Sequence, residues 1–291
     1  MREHRAADGG FYLPYRIPKL SPEDLRRLRG MTRCERALSV TRRFLRMPDR
    51  ILEADGMPVR MNVLADRMAV CEIFPAGSGS FRGYTDEVSR NLFPDGSGTA
   101  PWLAVSIRIG AIAAAVIGYQ HRDRICTDSR VDISMVSGDL FGPMSAYLAR
   151  EMGIPVGDIL CCCNENSGFW ELLHHGEFRT DHIAVMSGIP EADIAVPDGL
   201  ECLIALCCGR EEAVRYLDAV RAGKTYVPGE ECLDRLKSEF HATVVTRSGL
   251  MRGGYISRGV PVKAGTAMAL AGLLDHRSGK CLGRPALIIA E

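Results

Sequence analysis

Residues 131–163 read VDISMVSGDLFGPMSAYLAREMGIPVGDILCCC, and this stretch decides the fold. Its apolar beginning, residues 131–136, predicts a buried strand, and Ser137-Gly138-Asp139 predicts a turn. Residues 143–152 have helical spacing, and residues 158–163 are a second apolar run with the length of a strand. Strand, turn, helix and strand in this order make a βαβ unit, which requires a parallel sheet. The predicted fold class is therefore α/β, a mostly parallel sheet with flanking helices.

Further elements are predicted on both sides of this unit. On the N-terminal side, Ser21-Pro22-Glu23-Asp24 predicts a helix start, with Ser21 as N-cap and Pro22 at the first helical position. A second helix around residues 37–45, a strand over 68–74, a turn at 75–79, a helix over 84–92 and a loop at 94–98 follow. On the C-terminal side, we predict helices over 167–175, 199–208, 211–222, 229–240 and 263–276, and a strand over 286–290. Residues 50–66 show only a weak pattern.

The composition excludes several classes of protein. Lys+Arg and Asp+Glu both number 36, so the formal net charge is zero, whereas nucleic-acid binders carry a basic excess. The apolar run 102–119 is too short for a membrane span once Arg108 interrupts it, and it predicts a buried helix. Met1 to Arg5 lead into no apolar signal core. We expect a cytoplasmic protein with neither a nucleic-acid nor a membrane partner.

Eleven cysteines include the run Cys161-Cys162-Cys163 and the pair Cys207-Cys208. Neighbouring residues of an extended strand point to opposite faces, so the triple run cannot supply one tetrahedral metal site. No Cys-x-x-Cys pair occurs. We therefore expect reduced, buried cysteines that act as small hydrophobic residues.

The clearest candidate site is Ser137-Gly138-Asp139-Leu140-Phe141-Gly142, where a predicted strand ends and a predicted helix begins. A glycine turn at this point can present backbone N–H groups to an anion at the positive end of the helix. The ordinary alternative is a turn without a ligand. Asp139 counts against an anion, because its carboxylate repels a phosphate.

Other chemistry-bearing residues give weaker indications. The chain has five lysines, of which Lys263, at a predicted helix start, best fits a Schiff-base lysine; a solvated loop lysine is the ordinary alternative. His174 and His175 are adjacent on a predicted helix and cannot face one ion together, and His182 stands apart. No Gly-x-Ser-x-Gly elbow supports a catalytic triad. We predict no metal site and no catalytic residue from these patterns.

Several segments, taken together and in chain order, resemble one enzyme family. The matching pairs are residues 8–18 with DGGL(F/Y)VP…IP, 136–155 with PSGNFGD…Y.A..MGLP, 164–166 with NEND, 192–196 with SMDIQVS, and 254–255 with GY. These motifs are those of threonine synthases, which are pyridoxal-phosphate enzymes of fold type II. The combination is specific, although no single motif is.

The resemblance implies a fold, a reaction and a cofactor. The fold would be a reduced fold type II (tryptophan synthase β-like) architecture, with an N-terminal helical segment at 1–66, a remnant of the small α/β domain at 67–121 and the main α/β domain at 122–291. The reaction is a lyase step of threonine biosynthesis, which converts O-phosphohomoserine and water to threonine and phosphate on pyridoxal phosphate. Ser137, Gly138, Asp139, Leu140 and Gly142 would bind the cofactor. An amino-acid phosphate or another phosphate-bearing small molecule would be the ligand.

The sequence also departs from the family pattern. The family's cofactor lysine lies in a motif like HGPTLAFKD, which does not occur here, and only twenty residues separate Met47 from Met68, where the family has the long segment that carries it. Asp139 and Phe141 replace the Asn and the second Gly of the family's GNFG. The leading interpretation is a threonine synthase-like pseudoenzyme that is impaired in the family reaction. One alternative is a non-catalytic binding or assembly partner of a full-length synthase or of another protein, or a homodimer. Another is an enzyme with new chemistry that uses a cysteine or Lys263.

Overall fold

Six strands form one sheet in the computed structural model. The structure describes residues 10–11, 13–45, 59–65, 67–73, 81–92, 100–122, 129–181, 183–256, 262–277 and 283–290. The strands in these ranges are β1 (Val59–Ala65), β2 (Met68–Ile73), β3 (Val131–Val136), β4 (Val156–Cys163), β5 (His241–Val244) and β6 (Ala286–Ala290). Their spatial order is β1-β2-β6-β3-β4-β5.

All pairings except one are parallel, which confirms the predicted fold class. β1 pairs with β2 antiparallel, with Val59 opposite Ile73. β2 with β6, β6 with β3, β3 with β4, and β4 with β5 pair in parallel. The predicted βαβ unit is present as β3, a helix at Phe141–Met152 and β4.

Eleven helices flank the sheet in the described residues. They are α1 (Pro22–Gly30), α2 (Arg33–Thr41), α3 (Phe81–Leu92), α4 (Ala100–Arg122), α5 (Phe141–Met152), α6 (Gly168–His175), α7 (Leu200–Cys208), α8 (Arg210–Arg221), α9 (Glu230–Glu239), α10 (Arg247–Ile256) and α11 (Ala264–His276). The helix start predicted at Ser21 is confirmed. The Ser21 hydroxyl accepts the Asp24 N–H, and the Asp24 carboxylate accepts the Ser21 N–H, so two end groups of the helix are satisfied reciprocally.

Helix α4 is the buried helix that the apolar run predicts. Trp102–Gln120 is long and apolar enough to cross a membrane by length and composition, but 78% of that window is buried inside the fold. Helix α2 packs closely against it, because a Cβ at Gly110 would lie 2.4 Å from the Ala37 carbonyl oxygen. The helix is therefore part of the core of this fold.

The cysteines of the triple run are buried as predicted, but the expectation that all cysteines are reduced is wrong. Cys161 packs into the core on one side of the sheet, and Cys162 packs into the core on the other. Cys208 and Cys232, however, form a disulfide between α7 and α9, so the expectation that all cysteines are reduced is not met. The two residues are 24 positions apart, and only the packing of the two helices brings their Cα atoms to 5.1 Å.

Three described elements were not predicted. They are β1, which lies in the weakly patterned stretch, the four-residue β5, and α10. The turn predicted at 75–79 and the loop predicted at 94–98 lie outside the described residues, as does His182. The division at positions 66 and 121 stays a prediction; β2 and β6, from two of the three predicted parts, pair side by side in the same sheet.

Candidate functional site

A cavity of about 350 Å³ opens at the carboxyl ends of three neighbouring parallel strands. Its walls include the last residues of β2, β3 and β6, namely Ile73, Met135, Val136, Ile289 and Ala290. From β3 the chain runs outward to β4 and β5, and it then returns to place β6 on the other side of β3. Crevices at such a switch point are the usual ligand sites of open α/β sheets.

The polar wall comes from four separate segments. Besides the strand ends, the cavity is lined by Arg108, Ile112, Gly138, Asp139, Gly142, Glu191, Lys263, Gly265 and Thr266. Arg108 and Asp139 are half-buried, whereas Glu191 and Lys263 are exposed. The lining thus carries two groups of each charge sign in a space that fits a small molecule.

Of the five residues that the resemblance assigns to the cofactor, three line the cavity and two do not. Gly138, Asp139 and Gly142 line the cavity. Ser137 is buried and its hydroxyl donates to the Cys162 carbonyl oxygen at 3.3 Å, so it points into the sheet. Leu140 is fully buried in the core. The assignment of these five residues to a cofactor stays a prediction.

Gly138 is needed for a close approach of two backbone segments. A Cβ at this position would lie 1.8 Å from the Glu191 carbonyl oxygen, which no real structure tolerates. The absence of a side chain therefore lets the segment around Glu191 close over the loop. Packing alone accounts for this glycine.

Asp139 uses its carboxylate at the N-terminus of α5. Its Oδ1 accepts the Phe141 N–H at 3.0 Å. The first amides of a helix are the groups that bind a phosphate in glycine-rich loops, and a carboxylate at that place satisfies one of them and repels another anion. The sequence argument that Asp139 opposes anion binding thus has a structural counterpart.

A second polar cluster fixes the segment that carries Glu191. Asn164 donates to Asp193 at 2.7 Å, and the Ser187 hydroxyl donates to the same carboxylate oxygen at 2.6 Å. The Ser187 N–H donates to the other oxygen at 2.9 Å. The side-chain hydrogen bond from Ser187 is the main reason that the pKa of Asp193 lies below its ordinary value. Asn164 and Asp193 belong to the motifs 164–166 and 192–196, and their role here is to hold a loop.

The lysine singled out in the sequence lies at the cavity, whereas the adjacent histidines lie elsewhere. Lys263 is the N-cap of α11 and lines the cavity, and a Schiff-base role for it stays a prediction. Glu191 was missed altogether, because it stands in a segment without a regular pattern. His174 stacks on Trp170 with 4.5 Å between ring centres, and the neighbouring His175 meets the same ring edge-on.

Five of the described thiols are not poised for nucleophilic chemistry. Burial raises the pKa of Cys71, Cys162 and Cys163 to about 12 and raises that of Cys161 well above its ordinary value. Burial likewise raises the pKa of Cys207 to about 12. A nucleophilic thiol requires a lowered pKa, so these five residues do not support cysteine catalysis.

Comparison with known proteins identifies the architecture. A sequence profile of the threonine synthase N terminus matches residues 3–55. PLP-bound threonine synthase from Brucella melitensis has a TM-score of 0.72 at 17% identity, covering 98% of this chain and 83% of that one. Threonine synthases from yeast and Escherichia coli give 0.74 and 0.69, each at 14% identity, covering 98% and 99% of this chain and 82% and 83% of theirs. No curated protein sequence matches. At these identities the structural likeness establishes a threonine synthase-like, fold type II architecture.

Proposed function

We propose that this threonine synthase-like chain is a small-molecule-binding protein that does not perform threonine synthesis. In this proposal, the cavity holds an amino-acid-type zwitterion, with or without a phosphate. The observation that carries the proposal is the Asp139 carboxylate on the Phe141 amide, at the point where the family loop would receive the cofactor phosphate.

The family resemblance implies that this loop binds pyridoxal phosphate, but its residues do not fit that cofactor. The negatively charged Asp139 carboxylate accepts the Phe141 N–H at the start of α5, where a phosphate would otherwise bind. The HGPTLAFKD motif is also absent from the sequence. The described residues of the cavity wall include one lysine, Lys263, which caps α11. In this proposal the cofactor therefore has no role in the chain.

The charges of the lining favour a ligand that carries both signs. An ammonium group fits between carboxylates such as Asp139 and Glu191, and a carboxylate or phosphate fits cations such as Arg108 and Lys263. Arg108 is the more buried of the two cations, and hydrogen bonds to a charged group are worth most away from water. We therefore assign the acidic end of the ligand to Arg108 and place its ammonium near Asp139.

Calorimetric titration with homoserine, O-phosphohomoserine and inorganic phosphate tests this assignment. Arg108→Met and Asp139→Asn are each expected to weaken homoserine binding about tenfold or more, since a charge-assisted hydrogen bond contributes about 1.5–3 kcal/mol. Asp139→Asn should at the same time strengthen phosphate binding. Lys237→Met and Glu211→Gln, on exposed faces of α9 and α8, are the matched controls. Equal affinity of all variants for homoserine contradicts the proposed site.

A cofactor assay tests the proposal that the chain does not perform threonine synthesis. Wild-type protein is incubated with pyridoxal phosphate, and the visible absorbance of an internal aldimine and threonine formation from O-phosphohomoserine are recorded. We expect neither signal. A stable aldimine that borohydride traps on one lysine would overturn the proposal that the chain lacks the family chemistry.

A second candidate function is assembly, and an exposed apolar segment favours it. Ile183 is 89% exposed and Met186 is 81% exposed. The backbone between them is nevertheless held in place, because Asn166 both accepts the Val185 N–H at 2.6 Å and donates to its carbonyl oxygen at 2.7 Å. Apolar side chains on a fixed backbone cost little entropy when they bind, and a second copy of this chain is the proposed partner.

Light scattering distinguishes this second candidate. Ile183→Glu and Met186→Glu should convert a dimer to a monomer, whereas Val214→Glu on α8 should not, although Val214 is also exposed. A wild-type protein that is monomeric at high concentration excludes self-association through this segment.

We infer a cytoplasmic location from the buried apolar helix α4 and from the reduced cysteine run. The Cys208–Cys232 disulfide counts in the opposite direction, because disulfides are typical of oxidising compartments. Cell fractionation, with alkylation of free thiols before lysis, tests both statements.

A further inference from the structure

We propose that Asp158, His241 and His276 form a binding site for one divalent transition-metal ion, with Zn²⁺ as the best match. These residues lie at the amino ends of the parallel strands, at the opposite end of the sheet from the cavity. None of the three residues belongs to a motif shared with threonine synthases, and the site does not depend on the proposed function.

The fold brings the three residues together from distant parts of the chain. His241 is the first residue of β5 and pairs with Leu160 of β4. Asp158 precedes Leu160 by two positions, so its side chain points to the same face of the sheet. Helix α11 packs on this face, since a Cβ at Gly272 would lie 2.3 Å from the Cys162 sulfur, and its last residue is His276.

The ligand atoms are already close to the spacing that an ion needs. One imidazole nitrogen from each histidine and one carboxylate oxygen all lie within 4.8 Å of one another. His276 Nε2 is 3.8 Å from Asp158 Oδ2. Ligands about 2.0–2.2 Å from one tetrahedral Zn²⁺ lie about 3.3–3.6 Å apart, so small side-chain rotations complete the site.

The chemical type of the three groups suits a borderline metal. Two imidazoles and one carboxylate are a common donor set for Zn²⁺, and they leave a fourth position for water. The ring centres of the two histidines are 4.8 Å apart.

Two arginines and a second carboxylate surround the proposed ligands. Arg284 donates to Oδ2 of Asp158, the same oxygen that faces His276, so an ion bound at this oxygen shares it with the guanidinium. Its Nε also donates to Asp132 at 3.0 Å, and Arg277 donates to the other oxygen of Asp132 at 2.7 Å. A hydrogen-bonded carboxylate is held in one orientation, as metal-ligating carboxylates usually are. The charge of Arg284 opposes that of the ion and limits the affinity, while Asp132 offsets part of it.

Cobalt titration of metal-stripped protein is the test. Co²⁺ bound by two imidazoles and a carboxylate absorbs visible light far more strongly than aqueous Co²⁺, and we expect one such ion per chain, displaced by Zn²⁺. His241→Gln and His276→Gln should each weaken binding about tenfold or more. His174→Gln and His175→Gln on α6 are the matched controls and should bind as the wild type does.

A second measurement covers the case in which a variant does not fold. An ion that joins β4, β5 and α11 stabilises the folded chain by mass action, so Zn²⁺ should raise the unfolding temperature of the wild-type protein itself. No rise with Zn²⁺, together with no new Co²⁺ absorption, overturns the proposal. Equal binding by His276→Gln and His174→Gln would overturn it as well.

Discussion

The two ends of the parallel sheet carry the same kinds of charged residue in opposite arrangements. At the amino ends of the strands, Asp132 and Arg277 meet at 2.7 Å, and their side chains are only 6% and 8% exposed. At the carboxyl ends, Arg108, Asp139 and Lys263 line an open cavity instead. The Asp132–Arg277 pair is shielded from solvent and holds the fold together, whereas the cavity leaves room for a ligand beside its charged groups. The difference lies in the space left between the groups.

Removal of the buried acid at the amino ends should have the largest effect. Asp132→Ala leaves the Arg277 guanidinium buried without its carboxylate and also removes the acceptor of the Asp158 N–H. Loss of one partner of a buried ion pair costs about 3–5 kcal/mol of unfolding free energy. Urea denaturation measures it, with Asp139→Asn at the cavity as the comparison. Equal losses at the two ends would remove the contrast between them.

Gly138→Ala should have an intermediate effect, at the cavity end. The new methyl group meets the Glu191 carbonyl oxygen, so the loop and the segment around Glu191 must separate, at a cost of about 1–3 kcal/mol for an overpacked site. Ligand binding should weaken in parallel. Gly254→Ala in α10, where no atom lies near the new methyl group, should instead be neutral or stabilising. If Gly138→Ala behaves like this control, the close approach is not tight.

Acid should locally loosen the segment around Glu191 at the cavity, because it protonates Asp193. The pKa of Asp193 is lowered in the folded chain, chiefly by the Ser187 hydrogen bond, so its contribution is present above the ordinary value of 3.8 and is lost as the pH falls through the folded pKa. Hydrogen exchange at the Ser187 amide should accelerate over that interval. Asp193→Asn should show fast exchange without this pH dependence. Protection that is equally pH-dependent in both proteins would assign the effect to another group.

The smallest expected effect is at the centre of the sheet, between the two ends. Because burial raises the pKa of Cys162 and Cys163 to about 12, native Cys161-Cys162-Cys163 should not react with a thiol reagent at mildly alkaline pH. Mass spectrometry of alkylated peptides counts the modified residues, and unfolded protein provides the positive control. Rapid native labelling of this run would show that the centre of the sheet opens.

The sequence predicted elements wherever one local pattern determines the outcome. The β3-turn-α5-β4 unit and the helix start at Ser21 follow from periodicity and capping chemistry, which act within a few residues. Strand β1 was missed because it pairs with β2 along the edge of the sheet and its burial does not alternate regularly. Strand β5 has only four residues, too few to establish a period.

The candidate sites were predictable only in part, because they depend on contacts between distant segments. Gly138 and Asp139 were found from a turn pattern, and Lys263 from its place at a helix start. Glu191 reaches the cavity because Asn164 and Asp193 hold its loop, a contact 29 positions apart in the chain. The cluster of Asp158, His241 and His276 has no motif spacing at all, because packing of α11 on the sheet creates it.

The position of β6 has a consequence for how the chain acquires its structure. This strand follows all the other described strands in sequence, yet it lies between β2 and β3 in space. The β1–β2 hairpin and the β3–β4–β5 group therefore cannot join while residues 286–290 are still within the ribosome. Such non-local pairing is slow, and until it forms, the facing edges of both groups expose unpaired backbone to other chains. The risk of aggregation during synthesis is therefore greatest before β6 inserts between β2 and β3.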